Sequence, residues 1–351
     1  MDLFSYGDAA AGDAGTDRQR HLRLPRIARR VHWDVLCRRA RRDDAPAPDV
    51  QRHDGRQLSD LVDHRALAAD PVDRLHAGRR ALPQGRRARD GRPVTIAFAA
   101  VKRKRNERAD SAPSLTIAGS VATIRFERPR EHNRIDPDDI PVLRAHLERV
   151  AAAASVRVVV FTGAGGKTFS SGFTIDAILD RLDCSFEDLL DAVERFPLPT
   201  IAVLNGGVYG GATDLALACD LRIGVAGTRM FMPAARFGLH YYPGGLRRYV
   251  AAVGLAQAKR VFLTGQTLRA TEMLRIGFLT ELVARRRLEA TVADYVAAIE
   301  ACDPAVVTSM KRQLNAIAAG DAARASSRTE YETSLGSAEL RRRLAALSQK
   351  R

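Results

Sequence analysis

An ordered pattern of apolar and polar positions begins near residue 114 and runs to the C-terminal region. The stretch "SLTIAGSVATIRF" alternates on both sides of Gly119, which predicts two short strands joined as a hairpin. "DPDDIPVLRAHLERVAAAA" opens with aspartates and a proline in its first turn. It then repeats apolar residues at helical spacing, so it is read as a helix with a marked start. "VRVVVFTG" and "PTIAVLNG" are unbroken apolar runs rich in β-branched residues, as expected of strands covered on both faces. "TIDAILDRL", "FEDLLDAVERF" and "GATDLALACD" read as helices and "LRIGV" as a further strand. Residues 251–290 and 292–346 read as mostly helical. Strands alternating with helices predict an α/β domain with a largely parallel sheet.

The first third of the chain lacks this order. "RHLRLPRIARRVHWDVLCRRARRDDAPAPDV" and "RALAADPVDRLHAGRRALPQGRRARDGRP" sustain neither period, and Pro and Gly interrupt each short apolar patch. Such a segment buries too little apolar surface to offset its ordering entropy, so disorder is expected. Its near-exclusive use of Arg, Asp, Ala, Gly and Pro is also what a GC-rich gene yields when read in the wrong frame. We therefore expect much of residues 1–93 to be an artefact of the gene start. No Met stands between Met1 and Met230, so a later start would need another codon, near Val94 or Val101. The organisation expected is a basic extension over 1–112, a core over 113–290 and a helical segment over 291–351.

Charge sharpens this division. The formal net charge is +15, and residues 1–110 hold 23 Arg and 2 Lys against 15 Asp and 1 Glu, which is +9 of that total. A basic arm of this kind suits an RNA-binding segment, but no aromatics are interleaved with its arginines, which argues against nucleic acid as the partner. Cys37, Cys184, Cys219 and Cys302 form no CxxC pair, so neither a metal cluster nor a disulfide framework is expected, and a reducing cytoplasm fits. No apolar run approaches the roughly 20 residues of a membrane span, and the N-terminus lacks the pattern of a secretory signal.

Candidate chemistry lies in two glycine-rich loops. "VVVFTGAGGKTFSSGF" at first suggests a phosphate loop, because Gly166-Lys167-Thr168 follows a buried strand. The glycine such a loop needs five positions earlier is Phe161, and the dinucleotide fingerprint lacks its third glycine. The second loop is "LNGGVYGGATD". Each loop leads from a strand into a helix, where unpaired N–H groups carry positive partial charge. Two such donors aimed at one oxygen would form an oxyanion hole. Taken singly, each loop reads better as an ordinary tight turn between strand and helix.

Taken together, "ERPREHNRI", "VVVFTGAGGKTFSSGF", "TIAVLNGGVYGGATDLALACDLRI", "MPAARFGLHYYPGGLRRYVAAVGLAQAKRVFLTGQTL", "ATEMLRIGFLTELV" and "MKRQLN" resemble, in order, the enoyl-CoA hydratase/isomerase (crotonase) superfamily over about residues 114–320. The resemblance implies a spiral of repeated ββα units with a C-terminal helical segment. It implies an acyl-CoA thioester substrate whose enolate is held by the N–H groups of Phe173 and Gly211, with Ser171 and Gly172 of the first loop among the residues that bind its coenzyme A moiety. No cofactor is implied beyond the coenzyme A moiety of the substrate, and no metal. A homotrimer or a dimer of trimers is expected. Arg128, Arg130, Asn133 and Lys311 match positions that lie near the coenzyme A moiety, although each arginine reads equally as a solvated surface charge.

The pattern is incomplete at the acid/base positions. Asp214 stands where relatives have one glutamate, and Ala234 follows Pro233 where they have the second. Asp214 reads as the surviving carboxylate or as a cap or ion pair in its helix. Thr174 stands where an Asp is common. His240 and Tyr241, with Tyr242 beside them, are the candidate replacements for proton transfer, or else a packed aromatic rim. Hydration, isomerisation, decarboxylation and thioester hydrolysis all remain compatible with these residues, as does an impaired protein that binds acyl-CoA without turnover.

Overall fold

The computed structural model describes residues 111–348. The expectations of disorder, a misread start and a basic arm over the first third lie outside those residues, apart from Ser111 and Ala112. Both of these belong to the first strand, β1 (Ser111–Ala118), which starts slightly ahead of the apolar alternation and pairs antiparallel with β2 (Val121–Glu127) across Gly119.

The remaining strands are divided between two sheets. β3 (Val158–Gly163), β5 (Thr200–Leu204), β7 (Leu221–Val225) and β10 (Glu281–Val283) join the hairpin in one sheet, in the order β1-β2-β3-β5-β7-β10, parallel from β2 onward. β4 (Thr168–Ser170), β6 (Gly207–Tyr209), β8 (Arg229–Phe231) and β9 (Leu268–Arg269) form the second sheet, in that order. From β3 to β8 each turn of the chain thus lays one longer strand in the first sheet and one three-residue strand in the second, and the last turn adds the two-residue β9 and the three-residue β10. This is the expected spiral of ββα units.

The period-two pattern of the long strands explains their place. Val158 and Val160 face one side with Ile201, Val203, Ile223 and Val225, where α7 (Leu288–Ala301) covers them through Leu288, Val292 and Val296. Val159, Phe161, Ala202 and Leu204 face the other side. There they pack in the larger core with α1 (Asp139–Ala151), α3 (Cys184–Glu194) and α4 (Gly211–Ala218). The first sheet is therefore sandwiched, as the unbroken apolar runs require.

Several expectations need correction. "TIDAILDRL" holds only a 3-10 turn and the single-turn helix α2 (Ile178–Arg181). The region expected to be mostly helical over 251–290 contains α5 (Pro243–Thr264), the short α6 (Ala270–Arg275) and strands β9 and β10. Three-residue strands bury too few positions to leave a periodic trace. Beyond α7 the chain is helical as expected, in α8 (Pro304–Ala318), α9 (Ala322–Ala325), α10 (Thr329–Leu335) and α11 (Ala338–Ser348). Among the described residues no helix is long and apolar enough to cross a membrane.

Candidate active site

The two glycine loops meet because β4 and β6 are hydrogen-bonded neighbours, paired through Thr168–Gly207 and Ser170–Val208. The chain leaving β4 reaches Gly172, and the chain leaving β6 reaches Gly211, the first residue of α4. Gly172 adopts φ +87°, and a Cβ there would stand 2.6 Å from the Gly211 nitrogen and 2.7 Å from the Tyr209 carbonyl oxygen. Only a residue without a side chain permits this approach. The first loop is pinned from behind by Ile135, whose N–H donates to Gly172 O at 2.8 Å and whose carbonyl accepts from the Thr174 N–H at 3.0 Å. Ser171 is held in turn, its N–H donating to His132 O at 2.9 Å.

The Gly172 N–H donates to Ser170 Oγ at 3.1 Å, so the amides on either side of Phe173 are engaged and its own is left free. Among the described residues, no acceptor takes the N–H of Phe173 or of Gly211. Two unengaged donors thus sit on facing loops, one of them at the start of a helix. Phe186 on α3 packs over both: its ring meets Phe173 edge-on with centroids 5.4 Å apart, and its Cζ lies 2.8 Å from where a Cβ on Gly211 would be.

Asp214 lies in the first turn of α4 and is completely buried. Arg248 on α5, 2 % exposed, grips it with both arms, Nε to Oδ1 at 2.8 Å and Nη2 to Oδ2 at 2.9 Å. The Tyr242 hydroxyl donates to Oδ2 at 2.5 Å. The remaining arm of Arg248 reaches Asp191 at 2.8 Å and Glu194 at 3.2 Å, both on α3. Burial pulls the guanidinium pKa down, but the hydrogen bonds and charges of Asp214 and Asp191 override it, so Arg248 stays a cation. The sequence reading of Asp214 as an ion-paired carboxylate describes its surroundings here.

The other acid/base candidates are placed differently from one another. His240 is exposed, with Nδ1 2.8 Å from the Tyr241 carbonyl oxygen. Tyr241 is buried, stacked on Tyr242 at 4.3 Å, with its hydroxyl 3.1 Å from that of Tyr242. Burial first, and the negative charge of Asp214 next, push both phenols well above their ordinary pKa, so each is a neutral hydrogen-bond donor at physiological pH. Ala234 is buried at the start of a 3-10 turn and offers no carboxylate.

The coenzyme A candidates are not gathered in one place. Arg128 is ion-paired with Asp139 and Asp136, and Arg130 is exposed in the same turn. Asn133 is buried and braces the first loop, with Nδ2 donating to Ala164 O at 2.9 Å and Thr168 O at 2.8 Å. These three follow the C-terminal end of β2. Lys311 lies at the opposite end of the strands, where the N-terminal ends of β5 and β7 meet α8. It pairs with Asp220 at 2.7 Å, donates to Leu198 O at 2.9 Å and borders a cavity of about 540 Å³. The structure therefore does not bring Lys311 together with Arg128.

Sequence reasoning missed Arg248, Phe186, Asp191 and Glu194. One signal was available. Glu187, Asp191 and Glu194 fall at helical spacing on one face of α3, and such an acidic stripe calls for a partner. That partner is the start of α5, where Glu187 accepts the Gly244 N–H at 3.0 Å and Arg248 takes the other two.

A spiral of ββα turns closed by a helical C-terminal segment is the architecture of the crotonase fold. The family model for enoyl-CoA hydratase/isomerase matches residues 116–337, and the chain belongs to that family. It is 28 % identical over 204 residues to a short-chain-enoyl-CoA hydratase of Clostridium acetobutylicum, covering 56 % of this chain and 78 % of that one. It is 29 % identical over 205 residues to the (E)-benzylidenesuccinyl-CoA hydratase of Thauera aromatica, covering 57 % and 80 %. The crystal structure of an enoyl-CoA hydratase from Bacillus anthracis superposes with a TM-score of 0.62 at 25 % identity, over 69 % of this chain and 97 % of that one.

Proposed function

We propose that this protein is an acyl-CoA-processing enzyme that stabilises a thioester enolate between the N–H groups of Phe173 and Gly211. The observation that carries this reading is the pair of unengaged donors on loops packed as tightly as glycine allows. When negative charge develops on the thioester oxygen, both N–H groups strengthen their hydrogen bonds to it, and the start of α4 adds its positive partial charge. The family relationship supports the substrate class, since the relatives named above are hydratases of CoA thioesters. We further propose a homo-oligomer, a trimer or a pair of trimers, acting in the cytoplasm.

The reaction is read from the carboxylates. Hydration by a pair of acidic residues needs two accessible carboxylates, one to orient water and one to supply a proton. Here one position is Ala234, and at the other both oxygens of Asp214 are engaged by Arg248 and Tyr242. This favours chemistry that reaches the enolate without a protein base. Decarboxylation of a 2-carboxyacyl-CoA is such a reaction. The bond from Cα to the carboxylate breaks, its electron pair becomes the enolate, carbon dioxide leaves, and a solvent proton then adds to Cα. The Tyr242 and Tyr241 hydroxyls stay protonated throughout.

The test is a panel of enoyl-, acyl- and 2-carboxyacyl-CoA thioesters, following loss of the enoyl chromophore, double-bond migration, carbon dioxide and free thiol together. Turnover of a 2-carboxyacyl-CoA with little hydration supports the decarboxylase reading. Hydration at rates typical of enzymes, about 10 s⁻¹, would refute it. Binding without turnover across the panel would point instead to a protein that holds acyl-CoA without transforming it.

A further inference from the structure

Arg248 is the only cation reaching Asp214 among the ion pairs of the described residues, and it also connects the two helices that form the walls of the donor pair. Asp214 stands three residues beyond Gly211 in the first turn of α4. Asp191 and Glu194 stand on α3, one and two turns beyond Phe186, whose ring lies against Gly211. One guanidinium therefore ties the helix that supplies a donor to the helix that covers it. Its fork satisfies both oxygens of Asp214 at 2.8 and 2.9 Å while its third nitrogen holds α3. A lysine, with a single ammonium on a flexible stem, cannot span the same three carboxylates.

Charge adds a second role. A bare carboxylate in the first turn of α4 would oppose any negative charge arriving at the Gly211 N–H. Arg248 neutralises it inside a buried setting where electrostatic effects are strong. We propose that Arg248 is a positioning residue for enolate stabilisation. It fixes the Gly211 donor relative to Phe173 and cancels the field of Asp214 at the thioester oxygen, without touching substrate. This rests on the oxyanion reading given above.

The experiment uses acetoacetyl-CoA, whose enolate absorbs in the near ultraviolet while its keto form does not. The full-length protein is titrated with it across pH, and the apparent pKa of the bound ligand is read directly. Butyryl-CoA, which does not enolise in this range, reports binding alone. In the wild type, the bound ligand is expected to enolise at lower pH than in solution. Arg248→Lys is expected to raise that apparent pKa by about one unit, which is tenfold less enolate at a fixed pH, while butyryl-CoA affinity changes less than twofold.

An unchanged enolate pKa in a folded Arg248→Lys protein overturns the positioning role. Should that variant fail to fold, Glu194→Gln decides, because it loosens Arg248 from α3 at a point remote from Gly211. It is expected to shift the enolate pKa in the same direction by a smaller amount, and no shift overturns the proposal. A wild type that binds acetoacetyl-CoA without favouring its enolate, or does not bind it, overturns the oxyanion reading itself, and the two failures are thereby distinguished.

Discussion

Gly172→Ala tests the donor geometry most directly. The added methyl would lie 2.6 Å from the Gly211 nitrogen, whereas ordinary contact begins near 3.4 Å, so the loops must separate by about 0.8 Å. A hydrogen bond of about 2.9 Å stretched by that amount is no longer one. Losing one donor to a developing oxyanion costs about 3 kcal/mol, so turnover is expected to fall by about 10²–10³ in kcat. Alanine at φ +87° also costs about 1–2 kcal/mol of stability, and in a body of this size about 3–6 °C in Tm. A control separates the two effects. Gly227 has φ +89° with no atom within 4 Å of a Cβ, so Gly227→Ala carries the strain without the contact. The assay is turnover of whichever thioester the panel identifies, beside a thermal melt of both variants. The argument fails if Gly172→Ala keeps wild-type kcat, or if Gly227→Ala loses as much activity.

Asp214→Asn leaves Arg248 with one buried partner fewer. It is expected to lower stability by about 3 kcal/mol and Tm by about 10 °C; a melt within 2 °C of wild type, roughly the effect of a surface change, would show that the ion pair is not a structural bond. Ala234→Glu alone should not create a hydratase, since Asp214 remains bound by Arg248; a gain of tenfold or more in crotonyl-CoA hydration would contradict this. Burial pushes the Cys219 thiol from 9.0 up to about 12. The unfolded chain therefore releases that proton first, and stability should fall as pH rises from about 9 toward 12. Urea midpoints measured from pH 8 to 11 should decline, and should decline less in Cys219→Ala; equal slopes would refute the assignment.

The long strands were legible because burial on both faces leaves an unmistakable apolar run, as in "VVVFTG" and "TIAVL". The second sheet was not. Its strands hold two or three residues each, and their order follows from how the long strands stack rather than from their own composition. The two loops that carry Phe173 and Gly211, which the structure brings together, could be located by their glycines and helix start. The surroundings of Asp214 could not, because Arg248 comes from 34 residues away and Asp191 from 23 on the other side. In sequence "GGLRRY" looks like a charged helix surface. Only the close packing of α3, α4 and α5 turns its second arginine inward, where it is buried while Arg247 stays half-exposed.

The deal of strands between two sheets also supplies the site with a ruler. Phe173 and Gly211 occupy equivalent places in successive coils, each just beyond a short strand, and those strands are parallel neighbours. Adjacent strands in any sheet stand about 4.8 Å apart. Two nitrogens at that spacing, each about 2.9 Å from a shared oxygen, subtend about 110° at it, close to the tetrahedral angle of an oxygen bearing two hydrogen bonds. On the proposed reading, the interval between the two donors would be set by the pitch of the backbone, since each follows a strand of the same sheet. Substitutions in the surrounding side chains would then leave that interval in place.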